Sequence, residues 1–191
     1  MNNDVTLNGV GADLAAEEVP TLADFAEETG GAWPKGWYSA EIIEGYSTRK
    51  GTVFTTEDNP SKDGNSRNLR LCFKVHKGTD ERTIQESFNY RVTDLTPERL
   101  KHIKELREEF KGVKGRWPDA DGQRSSLAVA KLGMLERALG FTLKRATNGQ
   151  LVPGVFIGQK LDVYLGVDDN GYNEVRQAAA FGTRTGHGQK A

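Results

Sequence analysis

The chain has 191 residues, enough for one domain with a sizeable hydrophobic core and some loosely packed segments. Its single cysteine, Cys72, excludes an intramolecular disulfide framework, and no apolar run is long enough to span a bilayer. The 26 basic and 27 acidic residues nearly cancel, so net charge alone does not indicate a partner.

The charges are distributed unevenly along the chain. Residues 1–30 contain seven Asp or Glu residues and no Lys or Arg, which leaves residues 31–191 with 26 basic and 20 acidic residues, a net charge of about +6. An acidic segment joined to a basic body is a pattern that accompanies nucleic-acid partners. A solubilising segment on an ordinary domain explains the composition equally well.

Composition divides the chain into three segments. Residues 1–32 are polar, acidic and rich in Ala, Gly and Asn, so we expect a disordered acidic tail. Residues 33–181 are expected to form the folded domain, and residues 182–191 a flexible basic tail. The first residues lack the basic-then-apolar pattern of a secretory signal, which favours a cytoplasmic protein.

The first predicted strand runs from Trp37 to Tyr46. Tyr38, Ala40 and Ile42 alternate with Trp37, Ser39, Glu41 and Ile43, which is the period of a β-strand, although both sets contain apolar residues. We assign these three side chains to the core and Trp37 to the surface.

Residues 47–66 form a long connection that is rich in turn-forming residues. Connections of this length in a compact domain are usually functional or disordered. Residues 52–56 favour β structure and predict a small flap. The connection also carries three cations, Arg49, Lys50 and Lys62, and an aromatic residue, Phe54.

The clearest alternation in the chain lies between residues 68 and 75. One set of side chains is uniformly apolar and is predicted to face the core: Leu69, Leu71, Phe73 and Val75. The other set is predicted to face solvent: Asn68, Arg70, Cys72 and Lys74. Because this face carries two cations, the strand is expected to present a basic platform.

A third strand is predicted from Arg82 to Arg91, after a turn at residues 76–80. The side chains assigned to one of its faces are Ile84, Glu86, Phe88 and Tyr90. Three consecutive antiparallel strands form a meander.

Two helices are predicted next. Thr96, Pro97 and Glu98 form an N-terminal signal with a capping hydroxyl, a proline at the first position and an early acid. The apolar stripe of this helix is Leu100, Ile103, Leu106 and Phe110.

The second helix is predicted to follow a polar loop at residues 112–124, with Ser125 or Ser126 as its N-cap. Gly140 is a suitable residue for its C-terminal end. Its buried side is assigned to Leu127, Ala128, Leu132, Leu135 and Leu139.

The last third of the chain returns to β structure. Residues 160–167 alternate, with Leu161, Val163 and Leu165 assigned to the core and Lys160, Asp162 and Tyr164 to solvent. Residues 168–171 form a strong hairpin signal, and residues 172–176 are the predicted return strand.

The predicted order of elements is three strands, two helices and two strands. This α+β order, mainly β, is that of the five-stranded oligonucleotide/oligosaccharide-binding barrel, the OB-fold, which has a helix between its third and fourth strands. The alternative is a three-stranded meander packed on helices with a separate hairpin.

Several short motifs resemble a bacteriophage protein family. They lie at residues 36–42 (GWYSAEI), 65–75 (NSRNLRLCFKV), 135–140 (LERALG), 156–163 (FIGQKLDV) and 171–176 (GYNEVR). The family was long catalogued as a domain of unknown function and is understood to include phage single-stranded DNA-binding proteins, often encoded among replication and recombination genes. The resemblance covers roughly residues 36–180 and rests on the order and spacing of the motifs. The chain departs from the family pattern in the connection at 47–66 and the loop at 112–124.

Single-stranded DNA is bound without regard to sequence by cations that follow its backbone and by flat side chains on which bases stack. The residues of these two types on predicted wet faces and adjoining loops are Trp37, Arg49, Lys50, Phe54, Arg70, Lys74, Arg91, Tyr164, Tyr172 and Arg176. Taken singly, each aromatic residue is better explained by the core and each cation by a solvated surface. Their grouping on neighbouring strands favours the nucleic-acid interpretation.

Other chemistries find little support. The histidines and Cys72 lack the spacing of metal ligands, and no glycine-rich loop precedes a Lys-Ser/Thr pair. We therefore expect no enzymatic activity, no metal and no cofactor.

Two functions remain. The first is a sequence-independent single-stranded DNA-binding protein of phage replication or recombination, acting in the cytoplasm of the infected bacterial cell. Residues 1–30 are its candidate docking segment for phage or host proteins, and a homo-oligomer is compatible with this function. The second is a non-enzymatic protein-interaction or assembly module built on the same barrel.

Overall fold

The structure, a computed structural model, describes residues 31–62, 64 and 66–184. The predicted acidic tail lies outside the described residues apart from 31 and 32, as does the basic tail beyond residue 184. The strands are β1 (Gly36–Ile43), β2 (Gly45–Ser47), β3 (Val53–Thr55), β4 (Glu57–Pro60), β5 (Arg67–Lys77), β6 (Asp80–Tyr90), β7 (Lys160–Val167) and β8 (Asn173–Ala180). The helices are α1 (Pro97–Glu109) and α2 (Ala120–Leu139), with short 3-10 helices at Val92–Leu95 and Pro153–Val155.

The main sheet is antiparallel throughout. β6 pairs along the whole of β5, and the opposite edge of β5 pairs with β4 near its start and with β1 near its end. β1 then pairs with β7, and β7 with β8. β2 and β3 form a separate two-stranded hairpin. The predicted first strand is therefore shorter than expected, since its last residues leave the sheet and pair with the flap.

Alternation along the strands builds the core. The apolar sets predicted for β1, β5 and β7 are all buried, with exposures between 0% and 2%. On β6, Ile84, Phe88 and Tyr90 are also buried, whereas Glu86 is only half-buried. Burying a large apolar side chain contributes about 1.5–3 kcal/mol, so this shared inner face supplies much of the stability of the fold.

Two residues predicted to face solvent are buried instead. Cys72 is fully buried, because the β2–β3 hairpin and Thr56 pack against β5 beside it and burial raises the pKa of its thiol. Asp162 is also fully buried, and its carboxylate accepts hydrogen bonds from the backbone N–H groups of Gly182 and Arg184 at 3.1 and 2.8 Å. In both cases a neighbouring segment covers the outward side of the strand.

The sheet curls strongly into a half-barrel. Its end strands, β6 and β8, approach each other without a backbone ladder among the described residues. Side chains join them: Arg82 donates to the side-chain oxygen of Asn173 at 2.7 Å, and Glu86 accepts from the N–H of Val175 at 3.4 Å. Helix α2 packs on both strands and closes this seam.

Helix α1 begins as predicted. Thr96 is its N-cap and accepts a hydrogen bond from the N–H of Arg99, and Pro97 occupies the first position. Of the predicted apolar stripe, Ile103 and Leu106 are buried.

Helix α2 begins earlier than predicted, at Ala120 rather than after Ser125 or Ser126. Asp119 is the N-cap and accepts from the N–H of Gly122 at 2.8 Å. A Cβ at Gly122 would lie 2.4 Å from the Asp119 carboxylate and 2.7 Å from the Leu106 side chain on α1, so a larger residue would displace the N-cap or Leu106. Gly140 ends the helix in the left-handed conformation, as expected.

The orientation of α2 also differs from the prediction at one residue. Leu132 and Leu135 are buried as predicted, but Leu127 is 63% exposed. Ser125 and Ser126 occupy the buried positions instead, and the hydroxyl of Ser125 donates to Asp94.

The β7–β8 hairpin matches the predicted turn. Asp168 caps it, since its side chain accepts from the N–H groups of Asn170 and Tyr172. The return strand is longer than predicted and extends to Ala180.

Candidate nucleic-acid interface

The sheet surface opposite the core is called the outer face. By alternation with the buried sets it includes Trp37 and Glu41 on β1, Arg70 and Lys74 on β5, Thr83 and Ser87 on β6, and Lys160 and Tyr164 on β7. Cys72 and Asp162 belong to the same face but are covered by the flap and by the Gly182–Arg184 segment. Four of the ten predicted site residues lie on it, namely Trp37, Arg70, Lys74 and Tyr164.

An aromatic pair occupies one end of the outer face. Trp37 and Tyr164 are directly opposed across β1 and β7, and their ring centroids are 5.6 Å apart at an interplanar angle of 70°. The guanidinium carbon of Arg184 lies 5.2 Å from the Trp37 ring centroid. The buried Asp162 carboxylate accepts a hydrogen bond from the backbone N–H of Arg184. This contact holds the Arg184 guanidinium over the Trp37 ring.

The two predicted cations of β5 lie further along the same face. Arg70 contacts Glu57 on β4 at 3.2 Å, and Lys74 contacts Glu81 on β6 at 3.1 Å. All four side chains are between 35% and 50% exposed. Exposed ion pairs contribute about 0–1 kcal/mol, so a phosphate could replace either carboxylate at little cost in stability.

The β2–β3 hairpin is the predicted flap and carries a second aromatic pair. Phe54 stacks on Tyr46 at 5.0 Å and 27°, across the two short strands. Arg49 and Lys50 are exposed in the turn, which Gly51 closes with a φ of 81°. The flap therefore combines two cations with a ring pair, and it covers the outer face at Cys72, between Arg70 and Lys74.

Arg91 is placed apart from these residues and is held by carboxylates. It donates to Asp94 and to Asp121, and its Nη2 also contacts Ser125. Hydrogen bonds to Asp121 and Asp94 raise the pKa of the guanidinium, and Arg91 in turn lowers the pKa of Asp121. Arg99 contacts the same two carboxylates. These contacts stabilise the junction between β6 and the helices.

The two remaining predicted residues lie at the β7–β8 hairpin. Tyr172 is 72% exposed. Arg176 sits at an irregularity in the pairing of β8, pairs with Glu174 at 2.6 Å and packs across Gly166. A Cβ at Gly166 would lie 2.2 Å from the Arg176 Nε, so a larger residue there would force the arginine side chain to move.

Sequence reasoning missed three residues of this surface. Tyr46 faces Phe54 across the flap, Lys160 is opposite Glu41 across β1 and β7, and Arg184 covers Trp37. Tyr46 could have been found by pairing the two short β-prone segments around their turn. Arg184 could not, because its position depends on the burial of Asp162.

Within residues 31–62, 64 and 66–184, no three His, Cys, Asp or Glu side chains group as they would around a metal ion. In the same part of the chain, no helix is long and apolar enough to cross a membrane.

We found no protein-family model, curated protein or solved structure that matches this chain. The resemblance to a phage family therefore stays a prediction from sequence motifs.

Proposed function

We propose that the protein binds single-stranded DNA without regard to base sequence, and that it does so with the outer face of its curled sheet. The observation that carries the proposal is the placement of Trp37 and Tyr164 as a ring pair on the same face as Arg70 and Lys74. Rings and cations on one surface are the two elements that such binding needs.

The connectivity supports an OB-fold for this domain. The five long strands β1, β5, β6, β7 and β8 correspond in order to strands one to five of an OB-fold. As in that fold, β1 pairs with β5 and β7, β5 pairs with β6, and β7 pairs with β8. The third and fifth approach each other, and the helices come between the third and fourth. OB-folds bind oligonucleotides on their second and third strands and in the loops between strands one and two and strands four and five. Here those loops are the flap and the Asp168–Tyr172 turn.

The two kinds of contact divide the binding free energy. A base stacked on an aromatic ring contributes about 1–3 kcal/mol, whichever base it is. Each phosphate neutralised by a cation adds a salt-dependent contribution through the release of counterions. In the flap that covers the outer face at Cys72, Arg49 and Lys50 supply further cations, and Phe54 and Tyr46 supply a further ring pair.

This function fits a phage protein of DNA replication or recombination in the cytoplasm of an infected bacterium. It requires no cofactor, metal or catalytic residue. Residues 1–30, with their seven acids and no cation, are the proposed docking segment for phage or host partner proteins.

A mobility-shift competition tests the proposal. The full chain should shift a labelled oligo-dT, unlabelled single strands of any composition should compete about equally, and a duplex should compete poorly. A clear preference for one duplex sequence would contradict the proposal, because the outer face has no helix with a base-reading cluster.

One observation favours the second candidate, a protein-interaction module. Arg70 and Lys74 are each paired with a carboxylate, so the middle of the outer face carries both signs of charge. Mixed charge suits a protein partner better than a phosphate backbone. The absence of any oligo-dT shift at low salt would support this candidate.

A further inference from the structure

A cleft of about 550 Å3 lies between the edge strand β6 and helix α2, beyond the outer face. β6 contributes Ser87 and Asn89, and the floor includes Asp94 and Ser125. The helix contributes Arg124, Leu127, Ala128 and Lys131. Of the ten predicted site residues only Arg91 lines this cleft.

The helical wall of the cleft places an exposed apolar side chain between two cations. Arg124, Leu127 and Lys131 are spaced by three and four residues and therefore share one face of α2. Leu127 is 63% exposed, and the side chain of Arg124 is 80% exposed. This face is not the one that α2 packs on the sheet.

The carboxylates of the cleft are largely neutralised. Asp94 and Asp121 are each contacted by both Arg91 and Arg99 at 2.9–3.5 Å. Arg124 touches Asp121 only through a 3.4 Å contact between exposed side chains, which is worth little. A phosphate near Arg124 would therefore meet a cation with little opposing negative charge.

Lys131 is the second available cation. It is exposed and makes no ion pair with another described residue. Its charge acts on Glu86, where it opposes part of the rise in pKa that burial causes.

The cleft begins where the outer face ends. Ser87 is directly opposite Arg70, and Asn89 is directly opposite Asn68, across β5 and β6. Directly opposed residues have Cβ atoms about 4.5–5.5 Å apart. A chain that leaves Arg70 across the edge of the sheet would therefore meet the mouth of the cleft.

We propose that the cleft holds the continuation of the single strand, with phosphates at Arg124 and Lys131 and a base or sugar against Leu127. The inference rests on the proposed function and specifies the path of the DNA after it leaves the sheet. It makes α2 part of the interface as well as the element that closes the seam.

The test compares two double variants of the full chain. Arg124→Ala with Lys131→Ala removes the cleft cations, and Lys101→Ala with Lys104→Ala removes two exposed cations of α1 that do not line the cleft. Affinity is measured for oligo-dT of about 6 and about 16 nucleotides, within the range of OB-fold site sizes.

We expect the cleft variant to bind the longer oligonucleotide about tenfold more weakly and to lower its salt slope by about 1.4, which corresponds to two lost phosphate contacts on a single strand. Binding of the shorter oligonucleotide should be unchanged, since it is satisfied by the outer face. The α1 variant should match the parent with both lengths. Thermal melting of both variants should match the parent, because exposed substitutions cost within about 0.5 kcal/mol.

The outcomes distinguish a failure of the proposed function from a failure of the cleft inference alone. If the parent binds neither oligonucleotide, the proposed function fails and the cleft inference with it. If the parent binds but the cleft variant keeps the affinity and slope for the longer strand, only the cleft inference fails. A cleft that binds oligo-glutamate through Arg124 and Lys131, with DNA binding unchanged in the variant, would assign it to an acidic protein partner and overturn the inference.

Discussion

Arg70 and Lys74 are the two cations of β5 in the proposed DNA interface. Each is held by one exposed carboxylate, so the cation and its partner should have opposite effects on binding. Arg70 and Lys74 lie four residues apart on β5, so they are separated by about 13 Å along the strand and could each contact a different phosphate.

The first prediction concerns these charges. Arg70→Ala with Lys74→Ala should weaken binding of oligo-dT and lower the salt slope by about one to two phosphate contacts, with little effect on folding. Glu57→Gln with Glu81→Gln should strengthen binding, because it frees the same two cations. Fluorescence anisotropy with labelled oligo-dT measures both. Equal affinities for the parent and both variants would show that DNA does not reach this part of the sheet.

The second prediction concerns Trp37. Trp37→Ala removes the ring on which a base would stack and should cost about 1–3 kcal/mol of binding free energy, whereas Trp37→Phe should retain part of it. Arg184→Ala should also change affinity, since its guanidinium lies over the ring. Isothermal titration with oligo-dT gives the values. A Trp37→Ala variant that binds as tightly as the parent would rule out stacking at this position.

Residue patterns predicted the inward-facing side chains well and the outward-facing ones less well. Tyr38, Phe73 and Val163 are buried as alternation requires, because the core excludes water along their whole face. Alternation does not reveal what covers the other face, and so it failed for Cys72 under the flap and for Asp162 under the Gly182–Arg184 segment.

Among the elements, helix α2 shows why the first residue of a helix was harder to predict than the presence of the helix. Asp119, Ser125 and Ser126 are all good N-cap residues, and the sequence offers no local reason to choose among them. The choice is made by tertiary contacts. Ser125 lies within the helix and donates its hydroxyl to Asp94, which precedes α1. Gly122 allows the first turn of α2 to approach α1.

The seam between β6 and β8 contains a half-buried carboxyl group. Burial raises the pKa of Glu86, while Lys131 on α2 opposes and Glu174 on β8 reinforces the shift. Since the pKa in the folded state lies above the unfolded value, the contribution of Glu86 to stability is fully present below the unfolded pKa. It is lost as the pH rises through the folded pKa.

The third prediction follows from the raised pKa of Glu86. Glu86→Gln should gain stability relative to the parent as the pH rises from about 4 to about 8, because the parent must then hold a half-buried charge at the seam. Thermal melting of both proteins across this range is the measurement, with the exposed Glu105→Gln on α1 as the control. A difference in melting temperature that stays constant with pH, or that shrinks towards pH 8, would contradict the buried position of the charge.

For the whole molecule, the order of the long strands and helices was predicted correctly, whereas the predicted five-stranded barrel was confirmed only as a half-barrel. Hairpin signals and alternation specify which strands are consecutive, and they predicted helices after the third long strand, where the structure has them. The approach of β6 to β8 depends on α2 filling the gap between them. Long-range packing of that kind leaves no local signal in the sequence.

The surface charge of the molecule also emerges only in three dimensions. Residues 31–191 carry a net charge of about +6, yet Arg70, Lys74, Arg91 and Arg176 are each paired with a carboxylate. Cations that remain more available lie in the flap at Arg49 and Lys50 and on α2 at Arg124 and Lys131. To bind a phosphate chain, the paired cations should have to exchange their carboxylate partners for phosphates. The affinity should therefore depend on salt concentration.

The most direct test of single-strand binding is a salt titration of the full chain with oligo-dT. The logarithm of the association constant should fall linearly with the logarithm of salt concentration, with a slope of about −0.7 for each phosphate contacted. The slope should become less steep in the Arg70→Ala, Lys74→Ala variant. Binding that is undetectable at low salt, or an affinity that does not change with salt, would contradict the account.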